Sequence, residues 1–455
     1  MKLKSKADFF FIFLILGITI LYLIPLISSG FIIGHDSQIL IAREAARIEA
    51  IKDGQFPVRW AEDLNFGYGN PSFIFFYPLG GYFLALFHFL TIPLEAAYEI
   101  LLGVSFILAP IAFYFWVKQF LNKQAAFISA LFYGLSPYFL LDIYVRSHLG
   151  EIMSFVFIPA VFYFLEKNFK KITLTNILLG GFSFALLIHS HVIMSLMFSF
   201  LFLAYILFKS KFQLRPIFQN CLILFLGLIL SAYFWMPIVF ESKFINSEIF
   251  VGDWYKNHSL NISKVSYSAW GFGSNVNEKG GLAPQIGPLH GLLVLFSLVL
   301  LKTKLRKNIL FWMIAFIVGI FMSTNFSFFL WDILHVLQKF QFPWRFIALS
   351  SFSASVLIAY FFFVIKYQRI KWIALILLLI ISIPMAKVWK NQSFGDDYYF
   401  NYSGTATFHS EATTVWVEGD ASEFPSKKVE IITGEGKIIQ KERKSILMDV
   451  WRLHV

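Results

Sequence analysis

The chain has 455 residues, 58% hydrophobic and 14% charged, so apolar residues outnumber charged ones about four to one, twice the ratio of a soluble domain. That composition excludes a water-soluble globule and leaves a polytopic membrane protein. The net charge of +11 (38 Lys and Arg against 27 Asp and Glu) gathers in short loops, which excludes a nucleic-acid footprint as its cause, and the single cysteine, Cys221, excludes an intrachain disulfide.

Apolar runs mark twelve candidate spans, near residues 9–29, 73–90, 98–117, 125–141, 151–165, 174–190, 191–208, 217–240, 287–301, 308–325, 346–365 and 372–389. The first follows Lys2, Lys4 and Lys6 and is longer than a signal-peptide core, so it reads as an uncleaved anchor. Basic loops recur at Lys118 and Lys123, Lys167 to Lys171, Lys209 to Arg215, Lys302 to Lys307 and Lys366 to Lys371. With the N-terminal lysines they hold eighteen cations against two acids, Asp8 and Glu166. The positive-inside rule places them in the cytoplasm of a cell-membrane protein, against anionic lipid headgroups, with the N-terminus inside and the intervening segments outside. An inside N-terminus and an outside C-terminus need an odd number of crossings. The twelve runs therefore conflict, and the conflict falls between residues 73 and 117, where the run opening Tyr77-Pro78-Leu79-Gly80-Gly81 dips without crossing as one resolution.

The first outside segment, 30–72, opens Gly34-His35-Asp36-Ser37. It continues from Gln38 to Asp53 with Ile41, Ala45 and Ile48 at helical spacing and Arg43, Glu44, Arg47 and Glu49 on other faces. This predicts an amphipathic helix lying on the membrane surface, ended by Gly54 and turned by Pro57. Beside Asp36 and His35, three further polar groups fall at the same outer boundary: Arg146, His148 and Glu151; His189 and His191; and Arg345 within Phe342-Pro343-Trp344-Arg345-Phe346. Ionisable groups at membrane depth are costly and line functional cavities, and guanidinium groups suit phosphate. Plainer roles stand beside these: Asp36 or Ser37 as a helix cap, Arg146 and Glu151 as a loop ion pair, His191 as an interhelical hydrogen bond, Arg345 as an interfacial anchor. Pro343 predicts a span beginning near Trp344 with Arg345 in its first turn.

The motifs Gly34-His35-Asp36, Gly54-Gln55-Phe56-Pro57-Val58-Arg59-Trp60, Gly67-Tyr68-Gly69-Asn70-Pro71 and Phe75-Phe76-Tyr77-Pro78, with Arg146 to Glu151, His191 and Phe342 to Phe346, resemble a family of integral membrane proteins. These are the "6-pyruvoyl-tetrahydropterin synthase-related" proteins and their YfhO-like relatives, and the likeness spans about residues 10–390. The name implies no activity, since the pterin synthase is a small soluble zinc enzyme.

The resemblance implies the GT-C glycosyltransferase architecture: an all-α polytopic protein of about 11–13 transmembrane helices, with an outer-face active site using polyprenyl-phosphate sugar donors in cell-envelope assembly. It makes Asp36 the base. His35, Arg59, Arg146, His148, Glu151, His191 and Arg345 are candidate substrate contacts, and His35-Asp36 standing where many such enzymes carry paired acids leaves a divalent cation as an open candidate cofactor. A non-catalytic lipid or polysaccharide transporter or assembly scaffold is the alternative, using the same cavity without a basic Asp36.

Residues 241–286, rich in glycine, predict a flexible outer cover or a plain linker. Residues 1–389 read as the membrane domain and 390–455 as a small extracytoplasmic β-rich tail. The tail shows alternation at Thr413 to Val417 and a hairpin pattern at 429–439, and it is short against relatives that continue into a larger β-domain.

Overall fold

The computed structural model describes residues 6–246, 251–407, 411–417, 421–424, 437–445 and 448–454. All twelve apolar runs are helical. Among the described residues, seven helices are long and apolar enough to cross a membrane: Lys6–Ile27, Leu94–Val117, Leu149–Lys170, Val192–Ser210, Arg306–Ser323, Pro343–Val364 and Gln368–Met385. Two further pairs are bent, Lys123–Gly134 with Pro137–Arg146 by 40° and Leu214–Leu230 with Ala232–Phe244 by 72°. Three shorter apolar helices complete the set: Leu79–Phe89, Leu174–Ser190 and Pro288–Lys302. A helix satisfies its own backbone, which is why apolar sequence in lipid takes this form. The protein is a multi-pass membrane protein with very little sheet.

The chain divides into two units. The first comprises residues 1–38, 98–235 and 250–393. Its core is aromatic: Trp116, Phe162, Trp312 and Phe352 are buried in mutual contact, with ring centroids of Trp116 and Phe162 4.7 Å apart and of Phe162 and Phe352 5.3 Å apart. Helix Pro343–Val364, the most enclosed span, runs through it, and Pro343 occupies its first turn as expected.

Four of the basic loops meet at one end of this unit. Asp8 pairs with Lys118 at 3.2 Å and Lys123 at 3.4 Å, Glu166 with Lys209 at 2.9 Å, and Lys371 donates to Gln124 at 3.1 Å. Helix Leu149–Lys170 carries Glu151 in its first turn and Glu166 in its last, about 22 Å apart at 1.5 Å per residue. The basic end and the polar cluster are therefore separated by most of a bilayer core. After the first helix, Phe31–Ile32 pairs antiparallel with Lys390–Asn391, and Lys390 Nζ donates to the carbonyls of Leu26, Ser28 and Gly30.

The second unit comprises residues 39–97, 236–249 and 394–455. Its described core is Ala46, Ala50, Val58, Ala61, Leu64, Phe73 and Ala406. Asn65 N–H donates to Gly404 O at 3.0 Å, Asn70 Nδ2 to Thr405 O at 3.0 Å, and Glu95 accepts from Tyr399 O–H at 2.8 Å and Phe394 N–H at 3.0 Å.

Helix Ser37–Lys52 forms where predicted, and Gly54 follows it at φ +87°, but of its charged residues only Glu49 and Lys52 reach solvent. Arg43, Glu44 and Arg47 are buried. Glu44 and Arg47 pair with each other against Gly81. Arg47 stacks on Phe73 at 4.3 Å, and Arg43 stacks on Phe76 at 3.4 Å while donating to Ala406 O at 2.6 Å. Cation–π contacts and a carbonyl replace the water a surface helix would need, so the expected surface-lying helix is an interior one.

Leu79–Phe89, with eleven residues, rises about 16 Å and cannot cross a ~30 Å core by itself. In the tail, Lys437–Ser445 and Met448–His454 pair as an antiparallel hairpin. Thr413 to Val417 contributes one bridge, Thr414 to Ile245, and no strand; residues 429–436 of the expected hairpin lie outside the described residues.

Candidate functional site

Five of the eight site residues expected from sequence meet in the first unit around one carboxylate. Glu151 is fully buried. Its Oε2 lies 2.7 Å from Arg146 Nη1, 3.7 Å from Arg345 Nε and 4.0 Å from His191 Nε2, and its Oε1 accepts from Tyr138 O–H at 2.5 Å. His148 lies in the same group, its ring centroid 5.2 Å from that of His191. Arg146 also pairs with buried Asp142. Trp344 is stacked by both arginines, with Arg146 Cζ 4.7 Å and Arg345 Cζ 5.8 Å from its ring centroid.

Local chain geometry builds this cluster. Residues Asp142–Arg146 form one π-helical turn, and Ser147, at φ +51°, reverses the chain so that His148 caps the next helix. His148 Nδ1 accepts the backbone N–H of Glu151 at 3.2 Å, and His191 Nδ1 accepts that of Met194 at 3.1 Å. Each histidine thus occupies an N-cap, a place usually filled by Ser, Thr, Asp or Asn.

Asp36 sits on the reachable side. His35 and Asp36 donate their backbone N–H groups to Val145 O at 3.0 Å and Arg146 O at 3.1 Å, which fixes this arm against the π-helical turn. Gly34 makes the approach possible, because a Cβ there would meet Ser147 Oγ at 2.4 Å. The Asp36 carboxylate, 35% exposed, lies 3.6 Å from Arg146 Nη2. Arg146 therefore joins two buried carboxylates on one side to an accessible one on the other.

Of residues 241–286, expected to be a flexible cover or a plain linker, the segment 251–286 is held by specific bonds. Gln285 exchanges hydrogen bonds with Ser268, Leu260 N–H donates to Ser323 O, and Phe272 O lies 2.7 Å from His35 Nε2. Its His258 packs edge-on against Phe342 at 4.8 Å, and burial together with the Arg345 guanidinium pushes this imidazole down to about 4. It is uncharged at neutral pH.

Arg345 begins its helix as predicted, but turns inward, donating to Phe340 O at 3.0 Å and Gln341 Oε1 at 3.2 Å. Arg59 belongs to the second unit, half-buried, and is not one of this cluster. His189, which also drew attention in the sequence, stacks on Tyr233 at 5.1 Å. Sequence reasoning missed Tyr138 and Asp142, although an acid four residues before Arg146 in an apolar run was a legible signal.

No family model matches the chain. An uncharacterised protein of Lactococcus lactis subsp. cremoris (strain MG1363) is 26% identical over 254 residues, 52% of this chain and 41% of the relative. Among solved structures, the mycobacterial arabinofuranosyltransferase AftD is similar with a TM-score of 0.51 at 12% identity, over 82% of this chain and 26% of AftD. The apo oligosaccharyltransferase of Archaeoglobus fulgidus is similar with a TM-score of 0.50 at 14% identity, over 94% of this chain and 62% of that enzyme. The chain thus spans less than two thirds of each. At such identities the likeness is one of fold: the chain shares the polytopic helical architecture of these two enzymes.

Proposed function

We propose that the protein transfers a sugar from a polyprenyl-phosphate-linked donor to an extracytoplasmic glycan, lipid or protein acceptor, with the cluster around Glu151 at the outer membrane face. The observation that carries this reading is the half-exposed Asp36 carboxylate, held 3.6 Å from Arg146 by a main-chain tether. A carboxylate so fixed is suited to take a proton from an incoming hydroxyl.

In the proposed reaction the acceptor oxygen attacks the anomeric carbon and its proton passes to Asp36. The bond from that carbon to the phosphate oxygen breaks, and the electron pair leaves with the polyprenyl phosphate. Arg146, through the face turned to Asp36, and Arg345 offset the phosphate charge. Glu151 holds both arginines, with His148 and His191 supporting it. His35 and Arg59 remain proposed substrate contacts, anionic lipids are the proposed partners of the basic end, and the YfhO-like family is the proposed home of the chain.

Mass spectrometry of lipid-linked sugars and surface glycans in a deletion strain tests the reading. Loss of one glycan with accumulation of its lipid donor is expected, restored by the wild type and at least ~100-fold less by Asp36→Asn, the usual scale for a general base. Full restoration by Asp36→Asn would sink the transferase and leave the transporter or scaffold.

A further inference from the structure

One oxygen of Glu151 and one ring nitrogen each of His148 and His191 lie within 4.8 Å of one another, a spacing at which three side chains hold a metal ion. We infer instead that this trio is a metal-free clamp, in which the two helix caps fix both imidazoles as the Nε2–H tautomer and Glu151 is the anion held by Arg146.

The positions of the imidazole protons follow from the two helix caps. Nδ1 of His148 accepts the Glu151 N–H, and Nδ1 of His191 accepts the Met194 N–H. A nitrogen that accepts a hydrogen bond carries no proton, so in the neutral ring the proton is on Nε2. A metal-ligating imidazole needs the opposite arrangement, with one nitrogen giving its lone pair to the metal while the other donates its N–H to a carbonyl or carboxylate. Ligation through Nε2 would move each proton to Nδ1, where it would face a backbone N–H. Ligation through Nδ1 would take the lone pair the cap already uses. Either route opens the first turn of both Leu149–Lys170 and Val192–Ser210.

Glu151 argues the same way. Its Oε2 has Arg146 Nη1 at 2.7 Å and Arg345 Nε at 3.7 Å, so an entering cation would meet two guanidinium groups around its only carboxylate ligand in a buried site. That oxygen already accepts a hydrogen bond from Arg146 Nη1, with His191 Nε2 facing it at 4.0 Å. The donor set therefore does not suit a divalent cation. On the transferase reading, on which only this consequence rests, the departing phosphate is met by protein N–H groups alone.

The full-length wild-type protein in detergent provides the test. Mn²⁺ binding is followed by electron paramagnetic resonance and retained Zn²⁺ by mass spectrometry after desalting, while ¹⁵N magic-angle-spinning spectra report the histidine tautomers. The clamp requires unprotonated Nδ1 and protonated Nε2 at both residues, unchanged by Zn²⁺, and no equivalent of either metal retained. One equivalent of Mn²⁺ or Zn²⁺ held by the wild type and lost in both His191→Asn and His191→Gln would overturn it.

Farnesyl phosphate binding adds a second arm. Asn keeps an acceptor at the cap but loses the Nε2 donor, whereas Gln places an amide N–H near the position of Nε2. A donor role makes His191→Gln at least tenfold better than His191→Asn, with wild-type affinity indifferent to EDTA; a metal role removes binding in both and in EDTA. Failure of even the wild type to bind farnesyl phosphate would count against the transferase reading, while the metal and tautomer measurements still decide the clamp.

Discussion

Glu151 is the residue on which the candidate site depends, because it is the shared partner of two buried guanidinium groups. Removing one member of a buried charge network leaves the others uncompensated, which costs about 3–5 kcal/mol. Glu151→Gln is therefore expected to lower stability by about that much in thermal unfolding in detergent. Adding Arg345→Met should recover part of the loss, because one stranded charge is removed with its partner; strictly additive losses would mean the 3.7 Å contact carries no coupling. At this scale the sequence was partly legible. Arg146, His148, Glu151, His191 and Arg345 stood out because ionisable residues are rare in apolar runs. The Arg146–Glu151 pair was read from the sequence and is present, but that Asp142 would share Arg146 was not legible, because it reaches it only through the π-helical turn.

Among elements, helices were legible and their surroundings were not. Hydropathy alone located every span, because lipid leaves an apolar segment no other satisfied backbone. The helix Ser37–Lys52 shows the limit: its boundaries followed from spacing and Gly54, yet Arg43, Glu44 and Arg47 are buried by residues that lie elsewhere in the sequence, Phe73, Phe76, Gly81 and Ala406. Gly81 offers a direct check. Alanine in a helix normally gains about 1 kcal/mol over glycine. Here its Cβ would stand 1.8 Å from Glu44 Oε2 and 2.5 Å from Arg47 Nε, in a pair with no solvent to retreat into. Overpacking costs about 1–3 kcal/mol and should win, so Gly81→Ala is expected to lower the unfolding temperature. An unchanged or raised temperature would show that the pair can move aside.

For the whole molecule, composition alone excluded a soluble protein, and loop charge proposed its orientation. That orientation predicts the labelling of single cysteines in a Cys221→Ala background. Glu278→Cys, exposed in the segment 251–286, should react with an impermeant maleimide on intact cells, and Lys304→Cys, exposed in a basic loop, only after permeabilisation. The reverse pattern would invert the topology and move the candidate site to the cytoplasm. Neither the shared fold with AftD and the archaeal oligosaccharyltransferase nor the division into units was legible from hydropathy, which records where a chain enters lipid and not which distant segments pair.

The second unit joins residues 39–97 to residues beyond 394, so that Arg43 donates to Ala406 O and Asn65 N–H to Gly404 O across more than three hundred residues. A chain emerging from the ribosome has residues 39–97 long before these partners exist. Until translation passes residue 406, the carbonyls that receive Arg43 and Asn65 are missing, and the guanidinium of Arg43 must be hydrated or held by a chaperone. Biogenesis therefore has a natural checkpoint: residues 39–97 become protected only after residue 406 has been made, and a chain stopped before that point leaves them open to proteolysis.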